Sequence, residues 1–191
     1  MPDTQSELGK VVFVGAGPGN PDLLTVRARE VLEANAIAIV DEEVSSGIRD
    51  VVARAVPVPQ ELLDAAEEEY ARICAEAKEA GARRKPPRPA PPTAAVFYAP
   101  QSEDIVAQLR EGLVEADGLD VIRLVSGNPL NRESIKEEIS AVAAEGLEFQ
   151  VVPGMSLPST VPSFAGLALG ATYTEADITE GADWDALASA T

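Results

Sequence analysis

An α/β fold, with an open, mainly parallel sheet flanked by helices, is what this sequence predicts, and three observations predict it. Short apolar runs of strand length recur at 11–14, 36–40, 121–125 and 149–152. Segments with apolar residues at i, i+3 and i+4 lie between them, as amphipathic helices require. Each run also stops at a chain-reversing or acidic cluster, so strand, loop and helix follow in a repeated order.

Taken in order, the run at 11–14 ends at Gly15-Ala16-Gly17-Pro18-Gly19-Asn20-Pro21, a loop. Thr25 then offers an N-cap, and Ala28, Val31 and Leu32 share one helical face. The run at 36–40 ends at Asp41-Glu42-Glu43, completing a strand-helix-strand unit whose crossover makes the two strands parallel. Residues 60–82 are rich in alanine and glutamate, with Leu62, Leu63, Ala66, Tyr70, Ile73 and Ala77 in a stripe, and predict an exposed amphipathic helix. Five prolines within 83–92 exclude helix and sheet and predict an extended linker, with a polyproline ligand as the sharper alternative. Ile105, Val106, Leu109, Leu113 and Val114 restore a helix, 121–125 a strand, and 133–145 a helix closed by Gly146. A last strand stops at Pro153-Gly154, and the small, apolar stretch 157–169 predicts a buried helix starting near Pro158.

Composition narrows the chemistry. The 191 residues carry 32 acidic and 15 basic side chains, a formal net charge of −17, and no histidine. Histidine-dependent triads, imidazole metal sites and imidazole proton shuttles are therefore excluded, and no metal site is expected. An acid or base must be a carboxylate, lysine, tyrosine or water. The lone Cys74 cannot form an internal disulfide and reads as a buried structural thiol on a helix face. The acidic balance opposes nucleic acid and anionic membranes, and no stretch nears the roughly 18 apolar residues of a membrane span. The polar start lacks the parts of a signal peptide, so a cytoplasmic protein is expected.

Ligands of parallel sheets bind beyond the carboxyl ends of the strands, where three loops, 15–20, 126–129 and 153–156, should converge. The first is not a dinucleotide fingerprint, because Asn20 stands where G-x-G-x-x-G needs its third glycine, and Pro18 removes a backbone donor. Close approach of a ligand to bare backbone suits it better, beside the plain alternative of a tight turn. Asp41, at a strand exit, reads from position alone as a solvated acid or the cap of the following turn.

Taken together, 12–25, Asp41, Arg123-Leu124-Val125-Ser126-Gly127-Asn128-Pro129 and Val151-Val152-Pro153-Gly154-Met155-Ser156 resemble the successive motifs of the S-adenosylmethionine-dependent tetrapyrrole methyltransferases. The resemblance extends to about residue 178. It is nearest to the members that methylate carbons of uroporphyrinogen III toward precorrin-2, siroheme and cobalamin, as in bacterial fusions with uroporphyrinogen-III synthase. It implies S-adenosyl-L-methionine held between two α/β domains in a protein that is usually a homodimer. By this resemblance 1–176 form the N-terminal domain, with 60–94 an insertion, and 177–191 begin a second, truncated domain. It also implies cofactor contacts by Gly15, Gly17, Pro18, Ser126, Gly127, Asn128, Ser156 and Leu157. Asp41 becomes the proton acceptor, and Arg132 is the nearby cation for the carboxylate-rich tetrapyrrole.

Departures from the family pattern fall mainly on the residues that concern the tetrapyrrole and proton handling. Its Gly-Lys-Arg stretch, with a proposed catalytic lysine, is here Ala55-Val56-Pro57-Val58-Pro59, and its loop aspartate and following arginine are Asn128 and Ser134. The Pro-Leu-Thr-His-Arg stretch is Ala168-Leu169-Gly170-Ala171-Thr172. These losses, with the charge of −17 facing a polyanionic substrate, motivate an alternative: a degenerate, cofactor-binding scaffold for a fused synthase. A nicotinamide-dependent dehydrogenase is a distant third reading.

Overall fold

The computed structural model describes residues 8–35, 37–56, 58–81, 84–89, 95–98, 105–176 and 181–189. Residues 83 and 90–94 of the expected linker, and 177–180 at the expected start of a second domain, lie outside them. Five strands, β1 (Val11–Gly15), β2 (Ile37–Asp41), β3 (Ala95–Tyr98), β4 (Val121–Val125) and β5 (Phe149–Val152), form one sheet in the order β3-β2-β4-β1-β5. All pairings are parallel.

Side-chain alternation along the strands builds two cores. Val12, Val14, Ala38, Val40, Ile122 and Leu124 point to one face, where α1 (Val26–Ala34) and α2 (Ser46–Ala55) cover them with Ala28, Val31, Leu32, Ile48 and Val52. Val11, Phe13, Ile39, Val121 and Val125 point to the other, under α4 (Ile105–Glu115) and α5 (Glu133–Ala144), which bring Leu109, Leu113, Ile135, Ile139 and Val142. Because both faces are covered, the run at 11–14 of β1 and the run at 37–40 of β2 are unbroken apolar stretches rather than alternating ones.

Thr25 caps α1, its Oγ1 accepting from the Ala28 N–H at 3.1 Å. Thr25→Ala is expected to cost about 1 kcal/mol, seen as a lower urea midpoint at constant slope. Gly146, in the left-handed region at φ 74°, closes α5 as expected.

Four sequence expectations need correction or extension. Helix α2 was not anticipated, although Ser45 caps it (Ile48 N–H to Oγ, 3.3 Å) and Ile48 and Val52 bury at i, i+4. The edge strand β3 was not anticipated either; its four residues follow directly on the proline run. The stretch expected as a buried helix over 157–169 is a shorter exposed one, α6 (Leu157–Phe164). Only Thr160 of it is buried, and Phe164 is 69% exposed, because no described element packs over its outer side. Cys74 is half-buried, since α3 (Gln60–Glu79) places no residue in the core. Instead α3 packs against the extended segment 84–89, where the Tyr70 hydroxyl donates to Pro86 O at 3.1 Å and Arg88 stacks over the Tyr70 ring while pairing with Glu67. A hydrogen bond with Cys74 raises the Tyr70 pKa above its ordinary value. A short helix, α7 (Trp184–Ser189), ends the described chain. Among the described residues no helix is long and apolar enough to cross a membrane.

Candidate functional site

Strands β1 and β4 are neighbours, yet the connection leaving β1 covers one face of the sheet and that leaving β4 covers the other. Their carboxyl ends therefore mark a topological switch point, where ligands of parallel sheets bind. The loops after β1, β4 and β5 meet there and are knitted by glycines. Gly17 and Gly127 exchange two backbone hydrogen bonds, Gly17 N–H to Gly127 O at 3.1 Å and Gly127 N–H to Gly17 O at 2.9 Å. Gly15 and Gly154 pack backbone to backbone. A Cβ on Gly154 would stand 2.3 Å from Gly127 O and 2.7 Å from Gly15 C, atoms that cannot rotate away. Gly154→Ala is expected to cost about 1–3 kcal/mol, a fall of several degrees in Tm by calorimetry.

A cleft of roughly 210 Å³ opens beside this knot. Ser126, Gly127, Asn128 and Leu157 line it, with Asn131, Arg132, Glu43 and Glu175. A short 3₁₀ turn, Pro129–Asn131, sets the spacing of the two asparagines. Asn128 joins two of the loops. Its Nδ2 donates to Asn131 Oδ1 at 2.6 Å and its Oδ1 accepts from the Gly154 N–H at 3.4 Å. Asn131 Nδ2 reaches Ser156 Oγ at 3.2 Å and Glu175 Oε1 at 2.8 Å, so Asn128 serves this chain as a loop connector.

Beneath the cleft lies a charge cluster. Asp41, at the end of β2, follows Ile37 and Ile39 on the α4/α5 face and is 2% exposed. Arg123, 3% exposed, sits on the same face, where β4 aligns it with Phe13 and Ile39. There it forms ion pairs rather than meeting solvent. Its Nε and Nη2 bind Glu138 of α5 in a two-pronged contact at 2.8 and 2.9 Å, while Nη2 lies 3.5 Å from Asp41 Oδ2. The other oxygen of Asp41 accepts from the Glu43 N–H at 3.0 Å, as in the turn cap foreseen for it. Arg132 Nη1 approaches Asp41 Oδ2 at 3.8 Å and Glu43 Oε2 at 2.8 Å. Neither approach is an aligned hydrogen bond, and among the described residues this buried Nη1 has no aligned acceptor.

The structure thus gathers the residues singled out from sequence unevenly. Ser126, Gly127, Asn128, Leu157 and Arg132 share the cleft wall, Ser156 is one hydrogen bond away, and Asp41 lies directly behind Arg132. Gly15 and Gly17 are buried in the knot and Pro18 is half-buried beside it; none of the three lines the cleft. Glu43, Asn131, Glu138 and Glu175 were not foreseen. Glu138 was legible only as a polar position on α5, and Glu43 only as one of three acids after a strand.

S-adenosylmethionine, implied by the motif resemblance, fits the cleft in one respect. Gly127 holds φ 70°, and a Cβ there would strike Leu157 Cδ1 at 2.6 Å, so any side chain would fill the gap between loop and helix. Bare backbone and Leu157 could hold an adenosyl group. The volume is below the roughly 300–1,000 Å³ of enclosing ligand sites, so these residues form one wall of such a site.

Residues 10–191 match the family described as Tetrapyrrole (Corrin/Porphyrin) Methylases. Over 165 residues the chain is 30% identical to siroheme synthase 2 of Aeromonas salmonicida, covering 86% of this chain and 28% of that protein. It is 27% identical to the S-adenosyl-L-methionine-dependent uroporphyrinogen III methyltransferase of Methanosarcina barkeri, over 94% of this chain and 63% of that one. The crystal structure of uroporphyrin-III-C-methyltransferase from Thermus thermophilus superposes with a TM-score of 0.55 at 26% identity, covering 84% of this chain and 54% of that chain. The chain therefore spans less than two thirds of the length of each of these relatives.

Proposed function

From the premise that this chain belongs to the tetrapyrrole methylases, we propose that it forms the cofactor-binding part of a uroporphyrinogen-III C-methyltransferase acting toward siroheme or cobalamin. The observation that carries this reading is the glycine knot of the β1, β4 and β5 loops, with a cleft beside it walled by Ser126, Gly127, Asn128 and Leu157 and a buried carboxylate, Asp41, behind Arg132. S-adenosylmethionine, when bound, supplies an electrophilic methyl group. Ser126, Gly127, Asn128 and Leu157 form the wall that orients it, and Ser156 and Asn131 hold that wall in register. Arg132 meets a carboxylate of the macrocycle. Asp41 accepts the proton that leaves the methylated carbon, the base that a chain without histidine and without a lysine near residue 55 has to hand. Val161, Phe164 and Leu167, exposed on α6 and just after it, suit the second domain that the resemblance implies.

A second reading, a cofactor-binding scaffold for a fused synthase, draws on one observation: Asp41 is closed in by Arg123 and Arg132. Calorimetry of the intact protein with S-adenosylhomocysteine, followed by a methyl-transfer assay, separates the two. Binding with turnover supports the enzyme, binding without turnover supports the scaffold, and no binding removes both.

A further inference from the structure

We infer that Glu43 is a displaceable counter-ion that occupies, before substrate arrives, the seat of a substrate carboxylate on Arg132, and so sets how strongly the cleft takes polyanions. The inference rests on the tetrapyrrole reading above and concerns a residue to which that reading gives no part. Among the described residues Arg132 is the one Lys or Arg on the cleft wall, and Glu43 and Glu175 stand on the same wall. The cleft is thus net negative, on a chain of charge −17, although its proposed ligand is a polycarboxylate.

Arg132 and Glu43 differ in how they are held. Arg132 is 18% exposed and is backed by Asp41, which Arg123 also contacts, so the guanidinium has a fixed partner on its inner side. Glu43 is 48% exposed, and its carboxylate contact with Arg132 is an ion pair at 2.8 Å without hydrogen-bond alignment. The pair is weak where it faces solvent and can exchange. An incoming carboxylate able to meet Nη1 along its N–H direction gains a charge-assisted hydrogen bond that Glu43 does not make. Glu43 then swings into water at little cost, while Asp41 keeps Arg132 in place. The arrangement favours ligands that present a well-aimed carboxylate over those that offer only diffuse negative charge.

The test is fluorescence titration of the intact protein with uroporphyrin III, the stable oxidised form of the proposed substrate. E43Q is expected to tighten binding about five-fold, and R132Q to weaken it about ten-fold. E175Q removes the same charge from a wall residue held by Asn131 rather than by Arg132, and is expected to give less than half the gain. In the R132Q background the E43Q gain should vanish. An unchanged affinity in E43Q, an equal gain in E175Q, or a gain that survives in R132Q overturns the inference while leaving the tetrapyrrole reading intact. Failure of the wild-type protein to bind uroporphyrin III at all overturns that reading, and this inference with it.

Discussion

Asp41→Asn is expected to lower kcat for methyl transfer by about 10²- to 10⁴-fold while leaving S-adenosylhomocysteine affinity within about two-fold of wild type. The asymmetry follows from position. Asp41 does not line the cleft wall that carries Ser126, Gly127, Asn128 and Leu157. The amide can still accept the Glu43 N–H now bound at 3.0 Å, so the turn after β2 is retained. It cannot take up a proton. Arg123 keeps Glu138 and Arg132 keeps Glu43, so neither guanidinium is left without a carboxylate. Stopped assays of methylated product with parallel calorimetry would check both halves. Undiminished turnover would remove Asp41 from the mechanism, and a parallel loss of cofactor affinity would make it a structural residue.

Arg123→Met is expected to cost about 3–5 kcal/mol, because it leaves Glu138 without its two-pronged partner and Asp41 with the more distant Arg132 alone. A buried charge cluster need not be a net source of stability, but breaking it from one side leaves uncompensated charge. The double substitution R123M/E138L, which removes the two-pronged pair together, is therefore expected to recover a large part of the loss. Urea unfolding at constant slope measures both, and the double-mutant cycle gives their coupling. An equal loss in single and double variants would mean that Arg123 acts through packing of its stem rather than through its charge.

The fold was legible where burial and periodicity coincide. Ala28, Val31 and Leu32, or Ile135, Ile139 and Val142, announce their helices because each lies on the sheet, and 11–14 and 121–125 announce strands because both faces are covered. Helix α2 had the same signal in Ile48 and Val52, masked by the acidic cluster before it. β3 could not be seen, since a four-residue edge strand gives no period beside a proline run. The exposed state of α6 was hidden for another reason: an apolar helix reads as buried whether or not its cover is among the described elements.

The site divides in the same way. The convergence of the three loops followed from the strand ends; Gly17 paired with Gly127 and Gly154 packed on Gly15 bring them together, although the first loop does not line the cleft. The network Asn128, Asn131, Ser156 and Glu175 spans three loops and has no local spacing to betray it. Arg123 and Asp41, 82 residues apart, meet because β2 and β4 are neighbours in the sheet, a pairing that only the tertiary order supplies.

Whether this cleft supports methyl transfer to a tetrapyrrole carbon is decided by incubating the intact protein with methyl-labelled S-adenosylmethionine and uroporphyrinogen III and following label into the macrocycle. Label on ring carbon, dependent on Asp41, is the expected result. S-adenosylhomocysteine binding with no label transferred would contradict it.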